Sequence, residues 1–134
     1  MKNLILSITA SIALILPLYS HAEERVGKAV FETSAELGLK LTEKAIKNIE
    51  VKTSKLVVGS EFTVAPDSIV HYQNQVGVYR LRDGWYKLIK VQIIKKDERQ
   101  VNIRSSELKA GDELVTHGGD LLRVAEMDAF GAGE

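Results

Sequence analysis

The sequence has no cysteine, only two prolines and no excess of either charge. Without cysteine there can be no disulfide, no thiolate metal ligand, no cysteine nucleophile and no lipid-modified N-terminal cysteine. Stability has to come from an ordinary apolar core, and a chain of this size buries about two thirds of its unfolded surface. Eighteen basic residues face eighteen acidic ones, for a formal net charge of zero. Such a balance removes the electrostatic pull toward nucleic acid or anionic membranes that a basic chain would carry. Aromatic residues make up only 6% of the chain, and the single tryptophan is Trp85.

What is present begins with a leader. Met1 to Ala22 carries one positive charge at Lys2, an uncharged run from Leu4 to Leu18, Pro17, and then Ser20-His21-Ala22. This pattern reads as a secretory signal peptide over residues 1–22, with cleavage between Ala22 and Glu23. The apolar run is short of the roughly 20 residues a bilayer-spanning helix needs, which argues against an uncleaved anchor.

Beyond the leader, residues 23–60 read as an N-terminal arm, a short helix and part of a β-barrel. Leu37, Leu39 and Leu41 alternate with Gly38 and Lys40, the period of a strand with one buried face. Thr42 is a good helix N-cap, Glu43 suits the first turn, and Leu41 with Ile46 is spaced for a hydrophobic staple. A helix is expected over Glu43 to Asn48, followed by strand character from Glu50 to Val58.

Residues 61–124 hold the β-rich body. Phe62 to Val64 is one run, Pro66-Asp67-Ser68 a turn, and His71 to Gln75 a polar loop. Asp83-Gly84 accepts the positive φ angles of a type I′ hairpin between Val76–Arg82 and Trp85–Lys95. In the second arm Ile89, Val91 and Ile93 point one way and Lys90 and Gln92 the other. Val101 and Ile103 mark a further strand, and Leu108 to Asp112 a glycine turn before Glu113 to Thr116. His117 to Asp120 is expected as a loop, Leu121 to Val124 as a last apolar segment, and 125–134 as a flexible acidic tail. The fold class is therefore mainly β, a small β-barrel or SH3-like module with one short helix.

Reaction chemistry is sparse. Beyond the leader only His71 and His117 could act as imidazole bases, neither lies in a nucleophile-elbow pattern, and Ser68, Ser105 and Ser106 lie in turns where hydroxyls bond backbone. No catalytic residue, cofactor site or metal site is assigned. His71, His117, Asp120 and Met127 are the available soft or borderline metal donors, with His117 and Asp120 three apart around Gly118-Gly119. That glycine pair lacks the lysine and helix start of a phosphate loop. Lys87, Lys90, Lys95, Lys96, Arg99 and Arg104 could form a basic stripe. A simpler role is to keep the apolar run from Leu88 to Ile94 from pairing with other chains, so no nucleic-acid partner is expected. Tyr72, Tyr79, Trp85 and Tyr86, of types enriched at interfaces, are the candidate partner anchors.

Three stretches carry a family resemblance. They are Val64-Ala65-Pro66-Asp67-Ser68-Ile69-Val70, Val76 to Gly84, and Leu108-Lys109-Ala110-Gly111-Asp112-Glu113-Leu114-Val115-Thr116-His117-Gly118. In that order they resemble the C-terminal part of the periplasmic adaptors, or membrane fusion proteins, of resistance-nodulation-division efflux systems. Leu39 to Ala45 and Val51 to Thr53 look like the start of the β-barrel domain of that family. The resemblance runs from about Leu37 to Val124 and implies part of a β-barrel and a membrane-proximal SH3-like domain that docks on an inner-membrane pump. Residues 23–134 leave no room for the lipoyl-like domain and helical hairpin of that family.

The function expected from this resemblance is that of a non-enzymatic periplasmic component or accessory of a tripartite efflux pump, peripheral to the inner membrane. Its partners would be an inner-membrane efflux transporter, a full-length adaptor, or both, and a homo-oligomer is compatible with it. The alternative is a free-standing periplasmic metal-binding chaperone using His71, His117 and Met127.

Overall fold

The computed structural model describes residues 29–57, 59 and 61–131. The expected leader, its cleavage point and the first part of the arm lie outside the described residues.

The elements in chain order are β1 (Val30–Ser34), β2 (Gly38–Leu41), α1 (Glu43–Ile49), β3 (Lys52–Lys55), β4 (Phe62–Val64), a 3-10 turn (Pro66–Ser68), β5 (Val70–Tyr72), β6 (Gln75–Arg82), β7 (Trp85–Lys90), β8 (Gln92–Lys96), β9 (Val101–Arg104), β10 (Glu113–His117) and α2 (Gly119–Phe130). The protein is mainly β, as expected. One antiparallel sheet has the order β1-β2-β7-β6-β10-β3, with β5 also paired to β6, and a three-stranded sheet has the order β4-β9-β8. Strands β2 and β3, from the segment before residue 60, pair with β7 and β10 from the segment after it.

The larger sheet is covered on both faces, and strict alternation along its central strands explains how. Val78, Ile89 and Leu114 pack against Phe62, Val64, Val101 and Ile103 of the smaller sheet. Their neighbours Tyr79, Leu88 and Val115 face the other way, onto Leu39, Ala45 of α1 and Leu122 of α2. Two cores thus share one sheet, and Val78, Tyr79, Ile89, Val101, Ile103 and Leu122 have no exposed surface.

Helix α1 forms where the cap predicts it. The Thr42 hydroxyl oxygen accepts from the Ala45 N–H at 3.1 Å, and Glu50 closes the helix with φ 56°. Ile46 and Ile49 lie at the edge of the helix-side core while Ala45 is buried within it. The Asp83-Gly84 hairpin is also present, with φ of 51° and 79° and register Arg82 opposite Trp85.

Three expectations need correction. The loop over His71 to Gln75 is a second tight hairpin, with Tyr72 paired to Gln75 and Gln73 at φ 51°. A polar sequence hid it, because β5 presents only Val70 to the core. The long arm from Trp85 to Lys95 is two strands in different sheets: after buried Val91, whose N–H donates to the Val76 carbonyl, the chain leaves β7 for β8. Finally, the loop, apolar segment and tail expected from His117 onward include a twelve-residue helix, so the described residues hold two helices rather than one, and Gly118-Gly119 does open a helix, though without the lysine of a phosphate loop. Among the described residues no helix is long and apolar enough to cross a membrane.

Candidate functional site

Helix α2 organises the surface most able to bind something. The chain reaches it through Gly118-Gly119, whose small size is a packing requirement. A Cβ on Gly118 would come 2.8 Å from Ile49 Cγ2, and one on Gly119 would come 2.9 Å from Val70 Cγ2. The pair lets the helix start tightly against α1 and β5.

The inner face of α2 is held by one apolar and one polar contact. Leu122 is fully buried among Tyr79, Val115 and Leu39. One turn on, the Tyr79 hydroxyl donates to Glu126 Oε2 at 2.6 Å, and Arg123 Nη1 donates to the same oxygen at 2.7 Å. The Arg123 guanidinium also lies 5.5 Å from the centre of the Tyr72 ring. Burial, reinforced by the Glu126 carboxylate, pushes the Tyr79 phenol far above its ordinary pKa and keeps it a hydrogen-bond donor. For Arg123 burial opposes the charge, but Glu126 outweighs it and raises its pKa.

The outer side of α2 carries apolar side chains that are exposed among the described residues, with exposed Asp120 and Asp128 between them. Leu121, Val124, Met127 and Phe130 are 53, 63, 42 and 49% exposed, and Phe31 on β1 is 62% exposed. Leu37, Val57 and Ile94 are the other large apolar side chains that are exposed among the described residues. Two depressions flank the helix. One, about 820 Å³, is lined by Ser34, His71, Tyr72, Arg123, Met127 and Phe130 among others. The other, about 250 Å³, lies between β1 and α2 and is lined by Phe31, Thr33, Ala125, Asp128 and Ala129 among others. An apolar ridge between two troughs is a shape suited to protein contact.

Of the four hairpin aromatics, two are buried away from any partner. Tyr79 and Tyr86 are 0 and 4% exposed and belong to the helix-side core, which removes them as partner anchors. Burial, with Glu113 adding to it, also raises the Tyr86 pKa. Tyr72 and Trp85 are half-buried, and the Lys40 ammonium lies 4.6 Å from the centre of the Trp85 ring. The sequence placed aromatics near the hairpin correctly but could not say which face of β6 and β7 each would take. An apolar Leu122 flanked by Leu121, Val124 and Ala125 was the available signal for α2.

The metal donors are divided. His71 and Met127 line the larger depression, while His117 ends β10 and Asp120 lies in the first turn of α2. Among the described residues no three His, Cys, Asp or Glu side chains gather as a metal site. The basic residues are divided as well. Lys87 and Lys90 lie on β7 of the larger sheet, Lys95, Lys96 and Arg104 on the smaller one, and Arg99 in the turn between β8 and β9. Arg104 pairs with Glu61. Of the serines, Ser68 is buried and Ser105 accepts from the Glu107 N–H at 3.3 Å, a local turn contact. No protein-family model, characterised protein or solved structure matches this chain.

Proposed function

We propose that this protein is a non-enzymatic periplasmic component or accessory of a tripartite efflux pump, binding an inner-membrane transporter or a full-length adaptor. The order of short motifs from Val64 to Gly118, which resembles that of the efflux adaptors, supports this reading. The observation that carries the binding role is the set of exposed apolar side chains on α2, Leu121, Val124, Met127 and Phe130. Apolar surface of this kind, exposed among the described residues beside two filled cores, favours association with another protein. The protein acts by shape and contact, and export is powered by its partner.

The test is co-purification of a C-terminally tagged copy from gently solubilised membranes of the native host, beside a Val124→Glu/Met127→Glu variant. Recovery of an inner-membrane transporter or an adaptor with the parent and its loss with the variant is the expected result. Recovery of the tagged protein alone from both would sink the reading.

A further inference from the structure

The outer face of α2 carries charge as well as apolar surface. Asp120 and Asp128 are both exposed, and eight residues apart they stand about two turns from each other on either side of Val124. Neither takes part in an ion pair among the described residues. Asp120 suits the helix dipole, being in the first turn. Asp128 does not: it lies near the negative end of the helix, and the last turn contains no basic residue to offset it. Glu126, by contrast, is occupied by Tyr79 and Arg123. Among the described residues nothing offsets Asp128 at the negative end of the helix, and a cation brought by a partner would relieve it.

These two carboxylates select among occupants. A second copy packed antiparallel on α2 would set Asp120 against Asp128 of its mate, and a parallel one would oppose identical residues; both place like charges together. An anionic membrane surface is repelled for the same reason. What remains is a basic apolar segment. A helical segment suits the surface, because its side chains would pack beside Val124 and into the trough that Ala125 and Ala129 share with Val30, Phe31 and Glu32 of β1.

Resting on the protein-binding reading above, we propose that α2 docks a basic amphipathic helix of the partner. Its apolar face covers Val124, Met127 and Phe31, and its lysines or arginines reach Asp120 and Asp128.

Two synthetic helices of about 14 residues, long enough to span α2, test this. One is built of leucine and lysine, the other has glutamate at every lysine position, and each is titrated into the ¹⁵N-labelled protein. The lysine peptide is expected to shift amides of α2 and β1 saturably, with the glutamate peptide about tenfold weaker. An Asp120→Lys/Asp128→Lys variant is expected to reverse that preference, and Val124→Glu to weaken both peptides. All three positions are exposed, and the dipole effects of changing Asp120 and Asp128 oppose each other, so a melting temperature close to the parent's serves as the folding control. Equal binding of both peptides, shifts confined to other surfaces, or a preference that survives the charge reversal would overturn the proposal. If Val124→Glu/Met127→Glu still strips the transporter or adaptor in co-purification while the peptides are not discriminated, partner binding stands and the basic-helix chemistry falls.

Discussion

The Tyr79 hydroxyl, on the central strand of the larger sheet, donates a 2.6 Å hydrogen bond to the Glu126 carboxylate on α2. It is the polar half of the tie that holds this helix, Leu122 being the apolar half. Tyr79→Phe keeps the ring in the core and leaves Glu126 with Arg123 alone. The expected loss is about 1.5–3 kcal/mol by urea unfolding, as for a hydrogen bond to a charged group. Amide exchange should quicken in α2 more than in β9, since only the helix loses its anchor.

Asp112 offers a test in pH. Burial opposes its charge, but hydrogen bonds from Arg82 at 2.7 Å and from the Lys109 N–H at 2.9 Å outweigh that and hold its pKa below the ordinary 3.8. A carboxyl with a lowered folded pKa adds stability above the unfolded value and loses it as pH falls through the folded one. Asp112→Asn should therefore be less stable than the parent by about 1 kcal/mol near neutral pH, a figure moderated by the half-exposed Arg82. The gap should shrink toward zero as pH drops below 3.8. A gap that stays constant to pH 2 would show the role to be one of shape and not of charge.

Two glycines with positive φ separate strain from space. At Gly38, φ 101°, a Cβ would lie 2.1 Å from the Tyr86 carbonyl oxygen; at Gly84, φ 79°, nothing lies within 4 Å. Gly84→Ala should cost about 1 kcal/mol, the left-handed penalty alone. Gly38→Ala should cost about 3 kcal/mol or more, because β2 must separate from β7. Comparable losses in thermal unfolding would show that the close approach at Gly38 relaxes.

The two candidate binding surfaces can be separated by substitution. Trp85→Ala, which removes a half-buried ring under Lys40, should leave partner recovery from membranes intact. Val124→Glu should abolish recovery with little change in melting temperature, since its side chain is 63% exposed. The reverse pattern would return the interface to the hairpin.

Much of the fold was legible where local chemistry decides it. Thr42, Asp83-Gly84 and the alternation at Val101 and Ile103 act through their own backbone, and each element stands where those residues indicate. The sheet change at Val91 was not legible, because Ile89, Val91 and Ile93 alternate without a break while their pairing partners change. Nor was α2: two poor helix formers open it, and exposed Leu121 and Val124 beside buried Leu122 blur its period. The surface proposed for binding is therefore the part the sequence described least well, since a helix kept apolar on its outer side does not look like a surface helix.

Val78 with Tyr79, Leu88 with Ile89 and Leu114 with Val115 each send adjacent residues into opposite cores. Each such pair is joined by a single peptide unit, so a strand displaced on one side is displaced on the other. Losing either layer would uncover one face of the same strands, so global unfolding should follow one transition, with the slowest-exchanging amides in β6 and with α2 still able to open locally. Leu122 and Tyr79 on one face and Val78 on the other thus connect α2 to the far sheet through a single strand, with no loop between them.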